Sequence, residues 1–124
     1  MTSSQNPIVA KPQKILPKKT KLALIKMTEL TQATIEAFES ETNAITMKTD
    51  VELLSIMKNK QDVNDLYQQA ATEFMERQAE FMAHSSRAMQ ELTELQKKLS
   101  TTIKLNMSIL EKVTRASDGA HRAK

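Results

Sequence analysis

Apolar and small residues recur at steps of three and four after the third proline of the chain, which is the spacing of one helix face. Met27, Leu30 and Phe38 belong to this stripe, and the pattern predicts a first helix over about residues 18–47. Glu41 falls on the same stripe, where the pattern calls for an apolar residue. The first helix therefore carries a carboxylate on the face that should pack against the rest of the protein.

A second stripe of the same period predicts a helix over about residues 50–84, with Lys60 at a position that should be apolar. The turn before this helix contains neither Gly nor Pro, but Thr49 precedes Glu52 by three residues, which is the spacing of a capping box. A short turn predicts an antiparallel hairpin, in which Glu41 and Lys60 are offset by roughly one helical turn, ~6 Å. We expect them to form a partly buried ion pair that sets the register of the two helices.

The segment after residue 86 has the most regular pattern in the chain. Its apolar seam alternates steps of three and four through Leu92, Leu95, Leu99, Thr102, Asn106, Ile109 and Val113. A break is predicted within Ala83–Ala88, where Ser85 or Ser86 could cap a new helix, because an unbroken rod would be roughly 100 Å long and could not fold back. The third helix is thus predicted over about residues 87–116, with Gly119 as the signal that ends it.

These elements predict an all-α fold, an elongated antiparallel helical hairpin plus a third C-terminal helix in a coiled-coil-like bundle over residues 18–116. Residues 1–17 contain all three prolines and no helical period, which predicts a disordered basic arm, and residues 117–124 should be a short basic tail. A mitochondrial presequence is an alternative for the arm because it lacks acidic residues. Against that alternative, the arm also lacks Arg, and its prolines would break an amphipathic helix.

Charge is distributed very unevenly over the 124 residues. Residues 1–26 carry six lysines and no acidic group, and residues 112–124 have a net charge of +3. Residues 27–111 have eight basic and fourteen acidic groups, a net charge of −6. A nucleic-acid-binding domain needs basic groups clustered on its folded face, so this acidic body argues against one. With no cysteine and no run of apolar residues long enough for a membrane span, we expect a soluble cytoplasmic protein.

The sequence offers little material for catalysis. Its histidines are His84, at the predicted break, and His121, in the predicted tail. Glu80 lies four residues before His84, but no second pair of this kind is present to complete a helix-bundle metal site. No glycine-rich phosphate loop is present either. We therefore predict a non-enzyme with no catalytic residues, no metal, no cofactor and no small-molecule substrate.

Two features of the helices bear on binding. The eight methionines are by default core residues, but methionine also suits surfaces that accept varied partner helices. Asn106 interrupts the apolar seam of the third helix. It could weaken self-association so that the seam remains open to a partner, or it could simply specify how this helix packs within its own domain. Both interpretations of Asn106 remain open at the level of sequence.

Polar markers along the helices resemble those of the FlgN-like family of flagellar type III export chaperones. In that family a Glu in the opening helix is followed at three and four positions by a small and an apolar residue, as Glu41 is here by Ala44 and Ile45. A short acidic turn, a Leu-rich stretch and a Lys come next, here "TDVELLSIMKNK" ending at Lys60. The family closes with a helix in which an Asn precedes two apolar residues, and "TTIKLNMSILEKV" supplies Asn106 and that pair. The resemblance covers residues 22–114.

The resemblance implies a cytosolic chaperone of the flagellar export system. Such proteins bind the C-terminal helices of hook–filament junction proteins, prevent their premature assembly and deliver them to the export gate. An amphipathic helix bound on an apolar helix face would be the physical mode of recognition. On this basis the expected substrate-protein-binding face is on the third helix, at Leu95, Leu99, Ile103, Asn106, Leu110 and Val113.

Two other classes of function fit the same pattern. A structural or adaptor coiled coil could dimerise through the seam over residues 92–113. A nucleic-acid-binding protein could use the lysine-rich arm, because flexible polycations attract phosphate without sequence preference. The arm has no aromatic residues for base stacking, which makes nucleic acid the weaker of these alternatives.

Overall fold

The computed structural model describes residues 13–47, 52–84 and 86–122, with side chains described as far as residue 116. This part of the chain contains four helices, α1 (Thr20–Thr46), α2 (Leu53–Glu76), α3 (Gln78–Ala83) and α4 (Arg87–Arg122). The predicted all-α fold is confirmed. No helix within the described ranges is both long enough and apolar enough to cross a membrane.

Helix α1 is the central element of the bundle. It runs antiparallel to α2, since Thr20 near its start meets Glu80 just beyond α2, and Glu41 near its end meets Lys60. It runs parallel to α4, since residues 24–29 lie against Ala88 and Asn106 meets Phe38. Helix α1 packs along both partners, whereas α2 and α4 approach each other little. Helix α1 therefore belongs to the α1–α2 hairpin and is also the helix on which α4 packs.

The apolar core is concentrated near α3. Its buried members come from every helix and from the segment before α1, and they are Leu16, Ala23, Leu24, Met27, Ala70, Phe81 and Leu92. Phe74 stacks on Phe81 with ring centroids 4.4 Å apart. The buried alanines Ala23 and Ala70 allow α1 and α2 to approach closely in this region. Toward the other end of the bundle the core is thinner and includes buried polar groups.

Two threonines on the packed face of α1 explain why this stripe tolerates polar residues. Thr31 and Thr34 are both fully buried, and their hydroxyls donate to the carbonyls of Met27 and Leu30, at 2.7 and 2.6 Å. Each hydroxyl is thereby satisfied within its own helix. The methyl groups of the threonines remain available for packing between helices, so the stripe behaves as an apolar face.

The predicted single helix over residues 50–84 is wrong, because it is interrupted at Arg77. The Arg77 amide is shared between the carbonyls of Glu73 and Phe74, at 3.2 and 3.1 Å, and helix geometry resumes at Gln78. The Arg77 guanidinium lies 4.9 Å from the centre of the Phe81 ring. The short helix α3 carries Phe81 into the core.

Helix α4 begins at Arg87, and Ser86 supplies its cap. The Ser86 hydroxyl accepts a hydrogen bond from the Met89 amide at 3.2 Å, and its carbonyl accepts one from Gln90. An N-cap serine satisfies one of the amides that the first turn of a helix leaves unpaired. His84, just before this cap, is exposed.

Two helix boundaries differ from their predicted form or lie partly outside the described residues. The prediction that the last helix ends at residue 116 before a basic tail is wrong, because α4 continues through Gly119 to Arg122. One glycine costs only about 1 kcal/mol in a helix interior, which a long helix tolerates. Thr49 of the predicted capping box lies outside the described residues, and Glu52 makes no side-chain cap bond at the start of α2.

The arm prediction is wrong for residues 13–17, because this segment is held against α2. Leu16 is only 5% exposed and belongs to the core, and the amides of Ile15 and Leu16 donate to the Glu73 carboxylate. We call residues 13–18 the strap. Residues 1–12 lie outside the described part of the chain.

Candidate functional site

Glu41 and Lys60, which the sequence placed on apolar faces, meet between α1 and α2. Lys60 Nζ lies 2.8 Å from Glu41 Oε1, with the lysine side chain 19% exposed and Glu41 fully buried. The same ammonium lies 5.2 Å from the centre of the Phe38 ring, within the range of a cation–π contact. The lysine thus reaches its partner across an apolar surface, as a long aliphatic stem allows.

Asn106 adds α4 to this pair. Its Nδ2 donates to Glu41 Oε1 at 2.9 Å and approaches Thr42 Oγ1 at 3.1 Å. Asn106 is 1% exposed, so in this structure its amide specifies how α4 packs on α1. One carboxylate oxygen therefore accepts from α2 and from α4 at the same time, and we call Glu41, Lys60 and Asn106 the polar triad.

The other oxygen of the triad carboxylate has no such contact. Glu41 Oε2 is buried and receives no hydrogen bond from the described residues. A buried ionised carboxylate is strongly unfavourable unless it is paired, so the interactions at Oε1 must compensate for burial of the whole group. The triad is therefore a specific polar connection between three helices.

The six residues predicted to contact a substrate differ in accessibility. Leu99 and Asn106 are buried, Leu95, Ile103 and Leu110 are half-buried, and Val113 is 49% exposed. Packing on α1 therefore uses part of the face that the sequence assigned to a partner. Contact of these residues with a partner stays a prediction. The members that a partner could reach without unfolding the bundle are Leu95, Ile103, Leu110 and Val113.

A groove separates α2 from α4, because both helices pack on α1 and approach each other little. Its central part is a cavity of ≈ 340 Å³ lined by Tyr67, Gln96, Leu99, Ser100, Ile103 and Lys104. The α4 residues in this set extend from Gln96 to Lys104, so the groove follows the helix axis for about two turns. A second cavity lies between α3 and α4, lined by Phe81, Met82, Ser86, Met89, Gln90 and Thr93. We call the first of these two cavities the α2–α4 groove.

Tyr67 forms the floor of the groove and connects all three long helices. Burial raises the pKa of the Tyr67 phenol, and hydrogen bonds with Gln96 on α4 and Thr31 on α1 act in the opposite direction. Tyr67 and Gln96 were not singled out from the sequence. The available signal was that Tyr67, the single tyrosine of the chain, lies on the apolar stripe of α2.

Large apolar side chains are exposed where α1 ends and α2 begins. Met47, Leu54 and Met57 are exposed at the ends of the hairpin helices, and Met107 and Val113 are exposed on α4. Asn106 is level with Glu41 near the end of α1, so about ten further residues of α4, roughly 15 Å, extend past α1. This end of the bundle is apolar but incompletely covered.

No grouping of three or more His, Asp or Glu side chains suitable for a metal is found within the described ranges. The most perturbed carboxyl there is Glu80, whose pKa is lowered to about 2 by hydrogen bonds from Arg77 and then from Thr20. Arg77 donates to both oxygens of Glu80, from Nε to Oε1 at 3.0 Å and from Nη2 to Oε2 at 2.7 Å, which is the geometry of a structural ion pair.

Comparisons with protein-family models, with curated proteins and with solved structures give no match for this chain. A proposal about function must therefore depend on the geometry and on the sequence pattern.

Proposed function

We propose that this protein is a cytosolic flagellar export chaperone that binds an amphipathic helix of its substrate in the α2–α4 groove. The single observation that carries the proposal is the groove itself, since α2 and α4 both pack along α1 while they approach each other little, with Tyr67 and Gln96 meeting between them. A partner helix in this position would complete a four-helix bundle, which is a common stable arrangement of amphipathic helices.

The lining of the groove suits a helix held reversibly. Leu99 and Ile103 supply apolar surface, while Tyr67, Gln96 and Ser100 supply polar groups. Met82 and Met89 in the cavity between α3 and α4, and the exposed Met47 and Met57 where the hairpin turns, can adapt to different apolar side chains. A mixed surface of this kind favours binding that is specific enough to prevent assembly of the substrate yet weak enough to permit its release.

The substrates we propose are hook–filament junction proteins, bound through their C-terminal helices and delivered to the type III export gate. This part of the proposal is supported by the pattern of Glu41, Lys60 and Asn106 that resembles the FlgN-like family. The geometry adds that Lys60 and Asn106 both donate to Glu41. In this proposal they maintain the bundle, and the neighbouring groove binds the substrate.

Substitution of Ile103 by Glu tests the groove. We expect Ile103→Glu to weaken binding of a junction-protein C-terminal helix at least tenfold in a titration of a labelled peptide, because it places a charge in an apolar contact. Leu105→Glu is the matched control, since Leu105 is exposed and lies about 200° around α4 from Ile103. Equal binding by the two variants, with both still helical, would refute the groove as the site.

Sedimentation of the unmodified protein separates this proposal from the adaptor alternative. A chaperone awaiting its substrate is expected to be predominantly monomeric, with an accessible groove. A tight homodimer that Ile103→Glu converts to monomers would instead assign the groove to a second copy of the chain, as a structural coiled coil requires.

A further inference from the structure

Three polar side chains near the end of α2 face the segment before α1, and none of them lines the α2–α4 groove. Gln69, Glu73 and Arg77 are spaced four residues apart, so their side chains project from one face of the helix end. All three contact the strap, residues 13–18, and we call them the clamp. Glu73 is 6% exposed although it carries a carboxylate, which marks the clamp as a built polar site.

Every hydrogen bond of the clamp to the strap involves a main-chain atom of the strap. Gln69 Nε2 donates to the Gln13 carbonyl at 2.8 Å. The Glu73 carboxylate accepts the amides of Ile15 and Leu16, each at 2.8 Å from one of its oxygens. Arg77 donates to the carbonyls of Pro17 and Lys18 at 2.7 and 2.8 Å. The clamp thus recognises the course of a peptide backbone and not its side chains.

The backbone of the strap has the conformation that this recognition requires. The chain bends at Ile15 and Leu16, so two successive amides converge on one carboxylate, an arrangement suited to an anion. Pro17 disfavours helical geometry at the preceding residue, which leaves the Leu16 amide free of any helix. A leucine followed by proline is therefore a local sequence that presents its backbone to Glu73.

Side-chain selectivity at this site comes first from the pocket of Leu16 and second from Ile15, which is half-buried and packs against the same core. Leu16 is buried among core residues that include Leu24 and Phe81, whereas Gln13, Lys14 and Lys18 of the strap are exposed. An exposed ion pair between Lys14 and Glu76, at 3.8 Å, adds little in water. The ligand class is consequently a short non-helical segment with a leucine-sized residue before a proline.

We propose that the clamp is a peptide-binding site that the strap occupies in cis, and that a segment of a partner protein with the same chemistry can replace it. The hydrogen bonds made by the clamp would be equally available to such a segment, because all of them go to main-chain atoms. The segment would also need an apolar side chain to fill the pocket of Leu16. The strap competes from the same molecule, so partner binding depends on how firmly Leu16 is held. This site does not depend on the α2–α4 groove, and either proposal can fail alone.

The test uses the full chain and a labelled synthetic peptide with the sequence of residues 11–19. Leu16→Ala weakens the internal competitor and leaves the clamp intact, so this variant should bind the peptide at least tenfold more tightly than the unmodified chain. Adding Glu73→Gln to that variant should reduce peptide binding at least tenfold. A peptide in which Asp replaces the leucine should not bind.

A second strap variant protects the test against loss of core packing. Ile15→Pro removes one amide that bonds Glu73, keeps Leu16 in place and replaces a half-buried apolar side chain by a smaller apolar one, and it should also increase peptide binding. Peptide binding that is unchanged by both strap variants, or that survives Glu73→Gln, would overturn the proposal. So would self-association of the unmodified chain that Glu73→Gln abolishes, because the occupant would then be a second copy.

Discussion

Removal of the Lys60 ammonium tests how much of the fold depends on the polar triad. In Lys60→Met the apolar stem is largely retained, but the fully buried Glu41 keeps only the Asn106 amide as a partner. Removing one member of a buried ion pair typically costs 3–5 kcal/mol. Lys60 is 19% exposed, so water screens part of the interaction, and we expect a loss of about 3 kcal/mol.

The assay is urea unfolding followed by circular dichroism, with the free energy of unfolding obtained by linear extrapolation. A loss of about 3 kcal/mol corresponds to a fall in Tm of more than about 10 °C for a domain of this size. Lys58→Met is the matched control, because Lys58 forms an exposed pair with Asp62 at 3.3 Å on the same helix. That variant should change the free energy of unfolding by less than about 0.5 kcal/mol.

A double variant separates loss of attraction from the presence of an unpaired charge. Glu41→Leu with Lys60→Met removes the buried carboxylate as well, and should recover most of the stability lost by Lys60→Met alone. The Asn106 amide then loses its Glu41 acceptor but remains close to Thr42 and to the Phe38 carbonyl. Our account of the triad would be refuted if Lys60→Met lowered the free energy of unfolding no more than Lys58→Met does. It would also be refuted if the double variant were less stable than Lys60→Met alone.

Three smaller predictions follow from the other contacts. The Glu80 pKa of about 2 lies below its ordinary value of 4.5, so the stabilisation by Arg77 is complete above pH 4.5 and is lost as pH falls toward 2. The difference in Tm between the unmodified chain and Glu80→Gln should therefore become smaller as the pH is lowered. Tyr67 has a raised pKa, so its phenolate absorbance should appear only above the ordinary pH range for tyrosine. Its contribution to the stability of the fold should persist below pH 10 and decline as pH rises through the raised pKa. Titration of Tyr67 at the ordinary value would contradict its burial. Ser86→Ala removes the bond to the Met89 amide and should lower the free energy of unfolding by about 0.5–2 kcal/mol in a urea titration, whereas Ser86→Gly should lower it by only a few tenths.

Local periodicity explains what could be predicted from the sequence. Steps of three and four identify a helix face without knowledge of its partner, and so the all-α class and a helix beginning at Arg87 were accessible. Glu41 and Lys60 could be matched because a hairpin with a short turn fixes which residues face each other. The partner of Asn106 could not be found in this way, because α4 packs parallel to α1 through a long connection that periodicity does not constrain.

The strap was missed for a different reason. Its amides bond to Glu73, 57 and 58 positions away in the sequence, through main-chain atoms that every residue except proline possesses. The composition of the strap therefore indicated disorder, although burial of Leu16 and the bonds from two strap amides to the Glu73 carboxylate hold it against α2. The α2–α4 groove was also inaccessible from sequence, since it arises from how far apart two helices stand and not from either helix alone.

Two side chains from different helices, Lys60 of α2 and Asn106 of α4, donate to the same atom of α1, Glu41 Oε1. Because both bonds end on one atom, any shift of the Glu41 side chain alters the contacts to α2 and to α4 together. The triad therefore couples the registers of the two outer helices through α1, so that a change made on one of them should be felt by the other.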